Sequence, residues 1–179
     1  MSSSTCARCR RRPSLLSECR AIGPYEGSLR GIVQALKYQG CRSLAGGLGL
    51  RLRDAAEDLL GRADIAVPVP LHSARQRSRG FNQAAELASQ LGLPVVAALV
   101  RTRATPSQTD LPAARRHANV RGAFALRRRH AVRGLRVVVV DDVTTTGATL
   151  EACARVLIDA GATSVSAVTA ARAVIRRLE

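Results

Sequence analysis

Two adjacent aspartates and the threonine-rich loop after them are the residues of this chain best suited to chemistry. Asp141 and Asp142 follow a run of four valines, and three consecutive threonines and a glycine lie just beyond them. The apolar run indicates a buried strand, and residues 149–160 have the spacing of an amphipathic helix. We therefore expect the acids at the carboxyl end of a strand, where ligands bind in open parallel sheets.

The loop between this strand and this helix is suited to a phosphate group. Backbone N–H groups and the positive end of a helix dipole attract anions at a helix N-terminus. Gly147 has no Cβ, so a phosphate can approach the backbone closely. We assign phosphate binding to the whole loop, which consists of Thr144, Thr145, Thr146, Gly147, Ala148 and Thr149.

The acid pair needs a partner other than a bare anion, which two carboxylates would repel. Sugar hydroxyls or a bound Mg²⁺ would suit Asp141 and Asp142. A phosphate at the loop and a diol at the acids are the two ends of a ribose 5-phosphate. The segment is not a Walker loop, because it contains no Gly-Lys-Ser/Thr. The alternative is an ordinary strand-to-helix turn, with Asp and Thr as solvated caps.

Strand and helix patterns alternate along the chain and predict an α/β fold with a mainly parallel sheet flanked by helices. Apolar periodicity predicts helices over residues 28–39, 43–60, 81–91 and 149–160, and strands over Ile65–Pro68, Val95–Val100, Leu135–Val140 and Val165–Thr169.

The predicted domain covers residues 25–179. Residues 1–24 contain three of the five cysteines and are interpreted as a separate short segment. Residues 101–123 are polar and rich in arginine, and Pro106 and Pro112 interrupt them. A loop of this length in a compact domain is usually functional or mobile.

The segment from Val137 to Thr149 resembles the phosphoribosyl pyrophosphate signature of type I phosphoribosyltransferases. In that signature four apolar residues precede two acidic ones, and a small Thr/Gly loop follows. Further motifs, in the same order, are similar to the ComF family, phosphoribosyltransferase-like proteins linked to DNA uptake in competent bacteria. The resemblance covers about residues 25 to 172 and includes Leu36-Lys-Tyr38, Val67-Pro-Val-Pro-Leu-His72, Arg79-Gly-Phe-Asn-Gln83, Arg101 with Gln108, and Arg116-His-Ala-Asn119 through Phe124.

The resemblance implies a ligand and a set of roles. The ligand would be phosphoribosyl pyrophosphate with Mg²⁺; Asp141 and Asp142 would hold the ribose hydroxyls as the catalytic acids, and residues 145–149 the 5-phosphate. Residues 101–123 would form a flexible hood. The candidate pyrophosphate and hood residues are Pro70, Leu71, His72, Arg79, Arg101, Arg103 and Arg116.

Two of these assignments stay open. Purine-salvage members of this group often have Asp where this chain has Thr145, and a threonine cannot accept a proton at neutral pH. The acceptor of the ribose is therefore unassigned. His72 is either a ligand contact or simply an exposed loop residue.

The net charge of +15 leaves two interpretations. A basic protein attracts polyanions, which fits a non-catalytic accessory in DNA uptake that binds single-stranded DNA or partner proteins. Alternatively, the arginines reflect a GC-rich genome, since Lys37 is the only lysine. An aromatic content of 2% argues against a platform that stacks bases.

Cysteine spacing and hydropathy bound the remaining possibilities. The resemblance to the ComF family implies a four-cysteine zinc ribbon at the N-terminus, and Cys6 and Cys9 have zinc-like spacing. Cys19 has no partner two residues away, so we expect a degenerate form of this ribbon with free thiols, and a zinc site that includes Cys6, Cys9 and Cys19 is the alternative. No apolar run approaches the roughly 20 residues that span a bilayer, and no secretory signal is recognisable. We expect a cytoplasmic protein without membrane insertion; its oligomeric state is open, and a dimer is compatible with the sequence.

Overall fold

The computed structural model describes residues 14–103, 120, 122–127 and 132–173. Its centre is a parallel sheet of four strands in the order β1-β6-β5-β2. A two-stranded antiparallel ribbon is formed by β3 and β4. The strands are β1 (Cys19–Pro24), β2 (Ile65–Pro68), β3 (Leu99–Arg101), β4 (Phe124–Leu126), β5 (Arg136–Thr144) and β6 (Ser164–Arg172).

Helices cover both faces of the sheet. They are α1 (Gly27–Tyr38), α2 (Leu44–Ala55), α3 (Glu57–Leu60), α4 (Ser73–Arg79), α5 (Gln83–Ala88) and α6 (Ala148–Asp159). No helix in the described part of the chain is both long enough and apolar enough to cross a bilayer.

Strand β5 joins the two halves of the core. Successive side chains of a strand point to opposite faces, and the valines of β5 follow this rule. Val137 and Val139 pack with α6 and the ribbon, whereas Val138 and Val140 pack with α1, α2 and α5. Because both faces are covered, all four valines are buried, as is typical of a central parallel strand. The predicted α/β class is confirmed.

Some predicted element bounds differ from the observed ones. The helix predicted over 43–60 is two helices, because Ala56 has φ −127° and ψ 19° and interrupts the helix between α2 and α3. No glycine or proline marks this break, so the apolar periodicity runs through it. The strand predicted over Val95–Val100 is reduced to a single parallel bridge from Val95 to Ala66 and the start of β3.

Three elements have no counterpart among the predictions. Helix α4 contains no buried residue, so it shows no apolar stripe. Strand β4 has only three residues. Strand β1 lies inside residues 1–24, which were predicted to be separate, yet Cys19 pairs with Ala167 and Pro24 with Arg172. Residues 19–24 are therefore the edge strand of the main sheet and not part of a separate segment.

Strands β3 and β4 of the antiparallel ribbon lie at the two ends of the predicted hood segment, residues 101–123. Arg101 of β3 is opposite Phe124 of β4, and the N–H of Thr102 donates to the carbonyl of Ala123 at 2.9 Å. The two ends of the 101–123 segment are thus held together against the core. Residues 104–119, which include Arg116, lie outside the described residues, so the flexibility of the hood stays a prediction.

We expect Leu52→Ala to lower the free energy of unfolding by about 2–5 kcal/mol, since it removes a buried side chain and leaves a cavity. Leu52 is fully buried, whereas Leu50 on the same helix is 44% exposed. Leu50→Ala is therefore the matched control and should change the free energy by no more than about 0.5 kcal/mol. Urea denaturation of both variants measures the difference, and equal losses would contradict the assigned core.

Candidate functional site

A cavity of about 420 Å³ lies where the four parallel strands end. Tyr25 follows β1, Val69 follows β2 and Ala173 follows β6, and all three line it beside the end of β5. This is the edge at which parallel sheets bind ligands. The complete lining is Tyr25, Lys37, Tyr38, Val69, Pro70, Leu71, Arg75, Arg79, Gln83, Arg101, Asp141, Asp142, Val143, Thr145, Thr149 and Ala173.

The acid pair reaches this cavity because β5 continues past the end of β2. The last ladder pair with β2 is Pro68 with Val140, whereas pairing with β6 continues as far as Thr144. Asp141 and Asp142 are thus supported on one side only, and the other side faces the cavity. The N–H of Asp142 donates to Oδ1 of Asp141 at 2.9 Å, which fixes the first carboxylate against its own backbone.

Asp142 is buried and paired with a lysine. Its Oδ1 lies 2.8 Å from Nζ of Lys37, which α1 supplies. Burial alone would lower the pKa of Lys37, but the attraction of Asp142 and Asp141 outweighs it, so the pKa is raised. The other oxygen of Asp142, Oδ2, is buried and has no hydrogen-bond partner among the described residues. A buried acceptor of this kind is costly unless a ligand donates to it.

Asp141 is held in an environment that disfavours its charge. Burial, and next the neighbouring carboxylate of Asp142, raise the pKa of Asp141 to about 7, against the opposing pull of Lys37 and Arg101. An acid with this pKa is stabilised as an anion when a ligand brings hydroxyl donors or positive charge.

The loop after the acids has the backbone of an anion site. Gly147 has φ +79°, a conformation that side-chain-bearing residues rarely adopt, and α6 begins directly after it at Ala148. Oγ1 of Thr146 accepts from the N–H of Ala148 at 3.4 Å. Thr145 and Thr149 line the cavity, so the loop brings hydroxyls and the positive end of α6 to the same space as the acids.

Arginines line the cavity as well. Burial lowers the pKa of the Arg101 guanidinium, and the nearby positive charge of Arg75 lowers it further. An anionic ligand beside Arg101 would offset both of these effects. Arg75 was not assigned to the site from the sequence, because it lies on α4, which has no apolar pattern.

The Arg79-Gly-Phe-Asn-Gln83 motif fastens α4 and α5 to the loop after β2. Gly80 ends α4 in the left-handed conformation, with φ +78°. Asn82 caps α5 by accepting from the N–H of Ala84 at 3.0 Å, and its Nδ2 donates to the carbonyl of Val69 at 3.0 Å. Arg79 donates to Oε1 of Gln83 at 2.6 Å and stacks over the Tyr38 ring at 5.5 Å. The motif thus fixes one wall of the cavity.

The predicted site residues divide into three groups. The cavity collects Pro70, Leu71, Arg79, Arg101, Asp141, Asp142, Thr145 and Thr149. Thr144, Thr146, Gly147 and Ala148 support the loop without lining the cavity, and His72 and Arg103 do not line it either. The imidazole of His72 instead caps α4 by accepting from the N–H of Ala74 at 3.4 Å. Arg116 lies outside the described residues.

The sequence did not predict which residues far from the acid pair in the chain contact it in the structure. Lys37 and Tyr38 belong to one of the family-like motifs, but nothing in that motif indicated that Lys37 contacts Asp142. The candidate zinc residues Cys6 and Cys9 lie outside the described part of the chain. Cys19 lies on β1 as a free, partly buried thiol.

Comparison with known proteins agrees with this geometry. The model of the family described as "Phosphoribosyl transferase domain" matches residues 77–179. "Competence protein F" of Haemophilus influenzae is 34% identical over 179 residues, covering 94% of this chain and 78% of that protein. "DNA utilization protein YhgH" of Salmonella typhi is 34% identical over 172 residues, covering 89% and 74%. "Competence protein ComFC" of Bacillus subtilis is 27% identical over 160 residues, covering 88% and 65%.

The sheet, the acid pair and the loop, together with the family match, define a protein of type I phosphoribosyltransferase-like fold. Within that class, the chain belongs to the family of competence protein F, which confirms the resemblance found in its motifs.

We expect Asp141→Asn to stabilise the ligand-free protein at pH 8. The pKa of Asp141 is about 7 in the folded state against an ordinary value of 3.8, so between these values the folded state binds more protons than the unfolded one. Stability from this group therefore falls as pH rises from about 4 to 7. The free energy of unfolding of the variant should not show this decrease between pH 4 and pH 7.

Urea denaturation at pH 4 and pH 8 measures this dependence. Asp54→Asn is the control, because the Asp54 side chain is 75% exposed. If Asp141→Asn were no more stable than the natural chain at pH 8, the carboxylate would not be destabilised as described.

Proposed function

We propose that this site binds phosphoribosyl pyrophosphate with Mg²⁺ and recognises or transfers its ribose 5-phosphate group. The observation that carries the proposal is the buried Oδ2 of Asp142, an acceptor without a partner in the described residues, beside a loop suited to phosphate. A ligand with hydroxyls at one end and a phosphate at the other satisfies both. The family match independently favours such a ligand.

The ligand would lie along the carboxyl edge of the sheet. Its 5-phosphate would contact residues 145–149, and its hydroxyls would donate to Asp141 and Asp142. Its pyrophosphate would then extend toward Arg75 and Arg101, and its charge would favour the charged form of Arg101, which burial and the neighbouring Arg75 oppose.

Magnesium would reach this site with the ligand. No group of three or more His, Cys, Asp or Glu gathers in the described parts of the chain, and Lys37 already pairs with one oxygen of Asp142. Mg²⁺ commonly keeps several waters and is bound through substrate phosphates. The ion would therefore be held mainly by pyrophosphate oxygens, and it would supply stabilisation of the departing negative charge.

Transfer would break the bond between C1 of the ribose and pyrophosphate. The chain's own contribution is to hold the ribose by its hydroxyls and to stabilise the leaving charge with Arg75 and Arg101. An incoming nitrogen nucleophile would form the new bond to C1 of the ribose as pyrophosphate departs. Thr145 provides no base for a purine acceptor, so we assign no acceptor.

A second candidate is an accessory role in DNA uptake without catalysis. Two observations favour it: Arg75 and Arg77 are exposed on α4 beside the cavity, and the relatives carry the names "Competence protein F" and "DNA utilization protein YhgH". Single-stranded DNA binding that weakens steeply with salt would support it. Pyrophosphate release across a panel of nitrogen acceptors separates the two roles, because only the enzyme releases it.

We expect Asp141→Asn combined with Asp142→Asn to abolish phosphoribosyl pyrophosphate binding. The amides keep the shape of the acids but lose the charged acceptors for the ribose hydroxyls. Titration calorimetry with Mg²⁺ measures the affinity, and urea denaturation confirms that the variant is folded. Asp54→Asn, far more exposed, should bind as the natural chain does. The absence of binding by the natural chain at millimolar ligand would disprove the proposal.

We expect Gly147→Ala to weaken ligand binding about tenfold or more, a loss of about 1.4 kcal/mol. Gly134→Ala is a matched control. The two glycines have φ +79° and +77°, and a Cβ at either meets no atom within 4 Å. Both variants should lose about 1–2 kcal/mol of stability from backbone strain, but only Gly147 adjoins the expected phosphate. Equal affinities of the two variants would contradict the loop's role.

A further inference from the structure

The only lysine of the chain lies in the candidate site. The sequence contains 28 basic residues other than histidine, and all except Lys37 are arginine. The Lys37 side chain is 17% exposed. Surface ion pairs use arginine instead: the side chains of Arg20 and Arg62, which both pair with Asp58, are 44% and 65% exposed. The one basic residue that is not arginine therefore lies in the candidate site, where its side chain is mostly buried.

The position of Lys37 is fixed by the core. Val33 and Leu36 of the same helix are fully buried in the cluster that also holds Val138 and Val140 of β5. Two residues beyond Val140 on the same face of that strand is Asp142. The packing of α1 on β5 thus brings Lys37 to Asp142. The backbone of α1 that carries Lys37 is held by the core, and Nζ of Lys37 lies 2.8 Å from Oδ1 of Asp142.

An ammonium group and a guanidinium group would treat this carboxylate differently. An arginine presents a planar fork that commonly binds both oxygens of a carboxylate. Lys37 is a point charge and holds Oδ1 only, while Oδ2 is buried and has no partner in the described part of the chain. The lysine therefore orients the acid and leaves one oxygen for a ligand.

We propose that Lys37 is a positioning residue that gives the site its selectivity for sugar diols, because it holds Oδ1 of Asp142 and reserves Oδ2 for a ribose hydroxyl. This inference rests on the proposed function. It differs from simple attraction of phosphate by a positive charge, since it acts through Asp142 and requires a lysine in particular.

Lys37→Arg is the decisive variant, because it keeps the charge and changes only the geometry. Ligand-observed NMR and calorimetry would measure the affinity of ribose 5-phosphate and, separately, of pyrophosphate with Mg²⁺. We expect ribose 5-phosphate affinity to fall about tenfold and pyrophosphate affinity to change less than about twofold. Equal changes for the two probes, or no change for either, would overturn the inference.

A second set of variants keeps the test valid if the larger side chain disturbs folding. Lys37→Met in an Asp142→Asn background replaces the buried ion pair by a neutral pair of similar size, which proteins often tolerate. If Lys37 acts through Asp142, adding Lys37→Met to Asp142→Asn should cause no further loss of ribose 5-phosphate affinity. A further loss equal to that of Lys37→Met alone would show independent action and would overturn the inference.

The same measurements separate this inference from the proposed function. If the natural chain binds neither ribose 5-phosphate nor pyrophosphate with Mg²⁺, the proposed function itself fails. If it binds both and Lys37→Arg binds them equally well, only the role of Lys37 fails.

Discussion

The burial of two neighbouring carboxylates in one cleft is the constraint on which the candidate site depends. Water would screen such a pair, but the end of β5 is covered by α1 on one face and lies near Arg101 on the other. The charges are compensated within the protein. Lys37 forms an ion pair with Asp142, and the carboxylate of Asp141 accepts a hydrogen bond from the backbone N–H of Asp142. The compensation is incomplete, as the raised pKa of Asp141 shows. Hydroxyl donors or positive charge brought to this site would favour the charged form of Asp141.

The alternation of a β-strand explains why the compensating groups come from different parts of the chain. Asp142 continues the face of Val138 and Val140 and so meets a helix that precedes it by more than a hundred residues. Asp141 continues the opposite face, where the ribbon and α6 pack. One strand thus connects two half-cores, and the cleft draws on residues from both. This arrangement is a property of parallel sheets with covered faces, and it requires no special backbone at the acids themselves.

The parts predicted from sequence are those that local pattern determines. Val137–Val140, the acids after them and Gly147 lie within a dozen residues, so periodicity and residue type were enough to place them at a strand end and a helix start. Lys37 and Arg75 could not be placed in this way, because their roles depend on contacts between distant segments. Helix α4 was missed because all of its residues are at least partly exposed, and Ala56 interrupts a helix without any residue type that signals a break.

The edge position of β1 has a consequence for the integrity of the molecule. On its inner side β1 forms the ladder that runs from Cys19–Ala167 to Pro24–Arg172, and it thereby covers the flank of β6 over residues 167–172. A chain trimmed at residue 25 would leave that flank with a row of unsatisfied amides and carbonyls. Bare strand edges recruit strands from other molecules. Strand β1 therefore keeps β6, which is longer and mostly buried, from being the edge of the sheet.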